Sequence, residues 1–199
     1  MPRAKPRPKR QRNAAATREA ILHSARQAFA KAGYAGAGVR EIARGAGVTA
    51  MLVNRYFGSK ERLFAEAVAE SMATTSVLAP QIASAGISGK AIATALVGIT
   101  KADAAPLEGF QIMLRSAASA SAARIGREQI DRHHQKRIAA ALQGALAPQR
   151  AAVMLSLIAG FQLMRQMLEL PALAKADAKT LVKVLAPLFD QLLVGHGRS

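Results

Sequence analysis

From Thr17 onward the apolar positions recur with the period of a helix. Ile21, Ala25, Ala28, Phe29 and Ala32 fall three or four apart on one face, with Thr17 placed as an N-cap and Gly33 as a stop. Val39, Ile42, Ala43 and Ala46 share one side of a second, short helix that Gly47 ends. Thr49 is placed to cap a third helix through about Tyr56, with Val48, Val53 and Phe57 facing inward, and Ser59 to cap a fourth carrying Leu63, Phe64, Ala67 and Val68. The spacing then predicts helices over 60–78, 90–103, 107–120, 122–143, 149–169 and 178–194, with a loop near 79–89 and a kink at Pro187. No stretch shows the period-two alternation of a strand. The chain therefore reads as all-α, about nine helices, divided into residues 1–16, 17–62 and 63–199.

One segment breaks the amphipathic rule. Over 151–168, Val153, Met154, Leu155, Leu157, Ile158, Phe161, Leu163, Met164, Met167 and Leu168 surround the whole helix, so more than one side must be covered. That predicts a helix packed inward and also against a second copy of the chain. The last helix would supply the other half of a four-helix dimer interface. The interface so expected comprises Val153, Leu157, Phe161 and Leu168 with Leu181, Leu185, Leu188, Phe189 and Leu192. Gly160 would permit close approach, and Arg165 calls for an acid or the interface edge.

Charge sharpens the picture. The 199 residues carry a formal net charge of +16, which calls for a polyanionic partner, nucleic acid first. Residues 1–62 hold fourteen Lys and Arg against three acids, a surplus of eleven positive charges in the first third of the chain. Within them, Pro2, Pro6 and Pro8 with Arg3, Lys5, Arg7, Lys9, Arg10 and Arg12 predict a disordered basic arm over 1–16 that adds phosphate contacts without reading sequence. The apolar run between Arg150 and Arg165 is too short and too interrupted to cross a bilayer. With no Cys there is no disulfide framework or thiolate zinc site, which permits a reducing cytoplasm; the expected location is the cytoplasm, at the nucleoid.

The segment from Glu41 to Phe57 has the spacing of a helix-turn-helix. Ala43 is small enough for the second helix to approach the first, Gly47 tolerates a left-handed turn, and Val48 and Val53 pin the pair. One face of the 50–56 helix is thereby left outward, where a helix with basic flanks fits the major groove.

Residues 17–64, TREAILHSARQAFAKAGYAGAGVREIARGAGVTAMLVNRYFGSKERLF, resemble the DNA-binding region of tetracycline-repressor (TetR) type regulators. The likeness rests on the aromatic near Lys31, Gly33-Tyr34, Ile42-Ala43, Gly47-Val48-Thr49 and Phe57-Gly58-Ser59-Lys60-Glu61. The resemblance implies that Ala50, Met51, Leu52 and Arg55 face base edges, with Arg55 the main reader. It implies that Thr49, Asn54, Tyr56 and Lys60 hold phosphates and that Arg40 touches backbone or base. Gly38 stands where Ser or Thr is common and Asn54 where Tyr is common, which weakens a cap and shortens a reach. The resemblance further implies a helical effector-binding and dimerisation domain over 63–199. The candidate effector lining is Phe110, Met113, Leu114, Met154, Leu157, Phe161 and Met164, with Gln111, Arg115 and Gln162 as polar handles and an apolar effector expected.

Other chemistry finds little support. His133 and His134 point about 100° apart on a helix and cannot share a metal. Gly86-Ile87-Ser88-Gly89-Lys90-Ala91 lacks the spacing of a phosphate loop, and the twelve acids form no evident catalytic pair. No metal, cofactor or enzymatic activity is expected. The expected function is an effector-responsive repressor that binds a palindromic operator as a dimer. The alternative is a sequence-tolerant architectural nucleic-acid-binding protein without an effector.

Overall fold

A computed structural model describes residues 9–74, 87–101, 104 and 106–194; residues 1–8 of the expected arm over 1–16, 75–78 of the expected helix 60–78, 79–86 of the expected loop 79–89 and 102–103 of the expected helix 90–103 lie outside these. All elements among the described residues are helical. In chain order they are α1 (Lys9–Gly36), α2 (Val39–Gly45), α3 (Ala50–Phe57), α4 (Lys60–Thr74), α5 (Gly89–Ile99), α6 (Glu108–Ser116), α7 (Ala120–Ile130), α8 (Lys136–Ala141), α9 (Ala147–Gln162), α10 (Pro171–Ala174) and α11 (Ala178–Leu193). A π-helical turn, Asp131–Gln135, joins α7 to α8, and a second, Leu163–Met167, prolongs α9.

The chain groups into two compact units, Met1–Ser71 with Gln111–Gly126, and Met72–Phe110 with Arg127–Ser199. The first unit thus runs past residue 62 and takes in a segment from the middle of the chain. Its core joins Ile21, Ala25 and Phe29 of α1, Ile42 and Ala43 of α2, Val53 and Phe57 of α3, Leu63, Phe64, Ala67 and Val68 of α4, and Ile112 of α6, all buried. Phe29, Tyr34 and Phe64 meet as an aromatic trio, with Phe64 edge-on to Phe29 at 5.0 Å and to Tyr34 at 5.1 Å.

Helix α1 starts at Lys9, not at Thr17, so residues 9–16 are helix rather than disordered arm. Ala14, Ala15 and Ala16 have the highest helix propensity of any residue. Thr17 consequently caps nothing: its hydroxyl donates to the Asn13 carbonyl at 2.8 Å, one turn back inside the helix. Gly33 does break the helix, at φ 67° and ψ −179°. A Cβ there would run into the Arg115 carbonyl at the end of α6, and the next amide, Tyr34 N–H, donates to Ser116 Oγ at 2.9 Å. Gly33 therefore serves both a left-handed backbone and a close approach.

The second unit buries Ile92, Ala93, Leu96 and Val97 of α5 against Ile138 of α8, Met154, Ile158 and Phe161 of α9, and Leu181, Leu185 and Phe189 of α11. Ser88 Oγ accepts from Ala91 N–H at 3.2 Å and Asp177 from Thr180 N–H at 2.9 Å, capping α5 and α11. Helix α11 continues through Pro187, which sits on its exposed side. Arg150 gathers the carbonyls of Ala145, Leu192 and Leu193 at 3.0–3.2 Å, tying the start of α9 to the end of α11.

Candidate nucleic-acid interface

Helix α2, the turn after it and α3 form the expected pair. Ala46 N–H bonds Ile42 O at 3.1 Å and Val48 N–H bonds Ala43 O at 2.9 Å, while Gly47 takes φ 66°. Ser24 Oγ, buried on α1, donates to Ile42 O at 2.8 Å and holds α2 against α1. The Thr49 hydroxyl accepts from Leu52 N–H at 3.3 Å and starts α3. Val53 and Phe57 are buried, four apart, and fix which face of α3 points inward. Arg18 closes the assembly from α1, its guanidinium 4.8 Å from the centre of the Phe57 ring and paired with Glu66 of α4.

What remains outward is the face the sequence assigned to DNA. Met51 is 80% exposed, Asn54 and Arg55 are exposed, Thr49 and Arg40 are exposed, and Ala50, Leu52 and Tyr56 are half-buried. Neither Arg40, Arg44 nor Arg55 has an acidic partner among the described residues. Exposed guanidinium groups without acidic partners among the described residues have the chemistry to hold phosphates and guanine edges.

Lys60 is placed differently from a free phosphate ligand. Its ammonium stands 4.7 Å over the Tyr34 ring, and the Tyr34 hydroxyl donates to Glu61 Oε1 at 2.8 Å. Burial, then the hydrogen bond to Glu61, push the Tyr34 phenol up to about 12, while the same hydrogen bond holds the Glu61 carboxyl below its ordinary range. Lys60 is thus steered by Tyr34, a contact with no local signal along the chain, since Gly33-Tyr34 and Lys60-Glu61 lie far apart in it.

The expected effector lining divides between the two units. Phe110 belongs to the second unit, whereas Gln111, Met113, Leu114 and Arg115 belong to the first. There Leu114 and Arg115 are exposed and Met113 packs on Gly126. Met154, Phe161 and Gln162 are buried inside the second unit, Leu157 is half-buried and Met164 is exposed. Along α9 and its π turn, helical phase turns Met154, Ile158 and Phe161 to the core and Val153, Gly160 and Met164 away from it, while Leu157 packs partly against the core.

The same phase separates the residues expected at a dimer face. Phe161, Leu181, Leu185 and Phe189 are buried in the chain's own core and present nothing to a second copy. The outward stripe comprises Val153, Gly160, Met164 and Leu168 along α9 and the segment after it, with Val184 and Leu188 on α11. Leu192 is half-buried at the edge of the core. Val184, 63% exposed, was absent from the expected interface, although its four-residue spacing from Leu188 marks the face.

A helix-turn-helix with an uncovered basic second helix, followed by a separately packed helical unit, defines a DNA-binding regulator. The family model described as "Bacterial regulatory proteins, tetR family" matches residues 21–67, and that described as "Tetracyclin repressor-like, C-terminal domain" matches residues 88–193. The chain belongs to the TetR family of transcriptional regulators. It is similar to the solved structure of a TetR-family regulator from Streptomyces coelicolor, with 24% identity, 96% of this chain and 99% of that one covered, and a TM-score of 0.55. A transcriptional regulator from Rhodococcus sp. shares 25% identity over 88% of this chain and 95% of that one, with a TM-score of 0.63. The multidrug binding protein EbrR, complexed with imidazole, shares 20% identity over 90% and 96%, with a TM-score of 0.61. No curated protein sequence matches.

Proposed function

We propose that the chain is an effector-responsive repressor that binds a palindromic operator as a homodimer, at the nucleoid in the cytoplasm. The observation that carries the reading is the outward face of α3, where Met51, Asn54 and Arg55 are exposed and Arg55 has no acid to hold it among the described residues. Arg55 reads a guanine through its two parallel N–H bonds, Met51 and Ala50 touch thymine methyls, and Thr49, Asn54, Tyr56, Lys60 and Arg40 fix the helix on the phosphates.

Dimerisation is supported by the apolar stripe of α9 and α11. Val153, Met164 and Leu168 with Val184 and Leu188 are exposed, and at Gly160 a Cβ would meet no atom within 4 Å. A second copy on this stripe would complete a four-helix contact with a two-fold axis. Two α3 helices so related would enter major grooves about 34–36 Å apart, or a multiple of that. Effector response is supported by the likeness to a protein that binds multiple drugs, and the second unit is its proposed seat, with residues 17–62 carrying the DNA contacts.

The test is selection of fragmented genomic DNA by the full-length protein, with and without small-molecule extract. The expected result is enrichment of an inverted repeat whose recovery falls with extract. Uniform recovery of all fragments would favour the architectural alternative, and recovery indifferent to extract would remove the effector.

A further inference from the structure

Among its described residues, the second unit buries a cation without a counter-charge. Arg165 lies on the π turn Leu163–Met167 and is 6% exposed, with no carboxylate in ion-pair reach among the described residues. Both of its hydrogen bonds fall on Nη1, to Val97 O at 2.9 Å and to Thr100 Oγ1 at 3.0 Å. The Thr100 hydrogen is itself spent on Leu96 O at 2.7 Å, so the oxygen turns a lone pair to the guanidinium. The other edge of the fork, Nε and Nη2, makes no hydrogen bond among the described residues, and Nε is fully buried. Three residues earlier, on the same side of the helix, Gln162 is 3% exposed and its Nε2 is also buried without a partner.

Unpaired buried donors are rare because each loses water and gains nothing, and an uncompensated buried charge is costlier still. Such a cluster persists where something else completes it. We propose that the free edge of Arg165, with the Gln162 amide, is the recognition point of the effector site and that the effector is a monocarboxylic acid on an apolar body. The proposal rests on the effector-responsive reading above.

The chemistry narrows the ligand in three ways. The Nε and Nη2 hydrogens are parallel and spaced for the two oxygens of a carboxylate, which also supplies the missing negative charge. Arg165 is the one cation among the buried polar residues described, so it balances a monoanion rather than a phosphate dianion. Phe161, Ile158 and Met154 occupy the preceding turns of the same helix, and the Phe161 ring lies 5.7 Å from the guanidinium carbon, so the surroundings suit an apolar body. Desolvation holds the guanidinium below its ordinary pKa, as a charge without a counter-ion should be. The π turn that carries Arg165 belongs to a class of helix irregularity concentrated at functional sites.

Calorimetric titration of the full-length protein with octanoate and phenylacetate, against octanamide, phenylacetamide and inorganic phosphate, tests this directly. The acids are expected to bind at least about tenfold more tightly than their amides, since a bond to a charged group is lost with the charge, and phosphate is expected not to saturate. Arg165→Lys, which keeps the charge and loses the fork, and Gln162→Leu should each weaken acid binding several-fold while the thermal transition of the helices is retained. Arg165→Met should abolish the preference of acid over amide. Equal binding of acid and amide, or acid binding untouched in the folded Arg165→Lys and Gln162→Leu proteins, would overturn the proposal. So would acids that bind only the Asp103→Asn variant, since Asp103, outside the described residues, would then be the built-in counter-ion. Release of operator DNA, measured in parallel, separates the two claims. Acids that bind without releasing DNA sustain the site and remove the effector reading, whereas release by extract with no acid bound does the reverse.

Discussion

Helix α3 of the first unit and the α9–α11 pair of the second are each buried along one face, and they differ in what the opposite face leaves to water. On α3 it is Arg55, Asn54 and Met51 with Arg40 and Arg44 nearby; on α9 and α11 it is Val153, Gly160, Met164, Val184 and Leu188. The first surface lacks anions and the second lacks apolar neighbours. On the proposed reading a duplex would supply what α3 lacks, and a second copy of the chain what α9 and α11 lack. The difference teaches that exposed residues are most informative when read by what would complete them. Arg165 extends the same logic to the interior.

The contrast can be broken most forcefully at the apolar stripe. Val184→Asp combined with Leu188→Asp should convert a two-chain particle to a single chain in sedimentation equilibrium, because two desolvated carboxylates facing their own images are strongly repelled. Operator affinity should then fall by about 10²-fold or more, since linked half-sites gain that much from joint binding. A particle mass unchanged by the double substitution would place the interface elsewhere.

The next largest effect is expected inside the first unit. Gly33→Ala must carry a side chain at φ 67° against the Arg115 carbonyl and should cost about 1–3 kcal/mol of unfolding free energy in urea. A variant as stable as the parent would show that the α1–α6 approach is soft. Thr49→Ala removes the cap of α3 and should cost about 1 kcal/mol, with DNA affinity falling at the same time because the recognition helix frays.

The smallest effect concerns pH. The Tyr34 phenol is raised in the folded chain, so its neutral form is favoured by folding. The stability this contributes is complete below pH 10 and is lost as pH rises through about 12. Thermal melts of the parent should therefore decline across that window more than those of Tyr34→Phe, and parallel declines would assign the loss to other groups.

Much of this was legible beforehand because it depends on local pattern. Val53 and Phe57, four apart, fix the inward face of α3, and Gly47 fixes the turn, so the outward placement of Arg55 followed from spacing alone. The start of α1 at Lys9 is hard to read along the chain because Pro2, Pro6 and Pro8 and the clustered charges oppose the helix propensity of Ala14–Ala16. The phase of α9 was hidden because a helix apolar all round has no contrast to read. Phe161 and Met164 look equivalent in the chain, yet one is buried and the other exposed. The partners of Arg165 come from α5, more than sixty residues away, and no pattern along α9 announces them.

The central claim is that the open edge of α3 reads base sequence, and Arg55→Ala tests it most directly. The parent and the variant are each taken through selection from randomised duplexes at the same salt concentration. The account predicts one inverted repeat for the parent and, for the variant, the same repeat with preference relaxed by about 1–3 kcal/mol at one base pair in each half-site. An identical repeat from both proteins, or a uniform loss of affinity for every duplex, would contradict it.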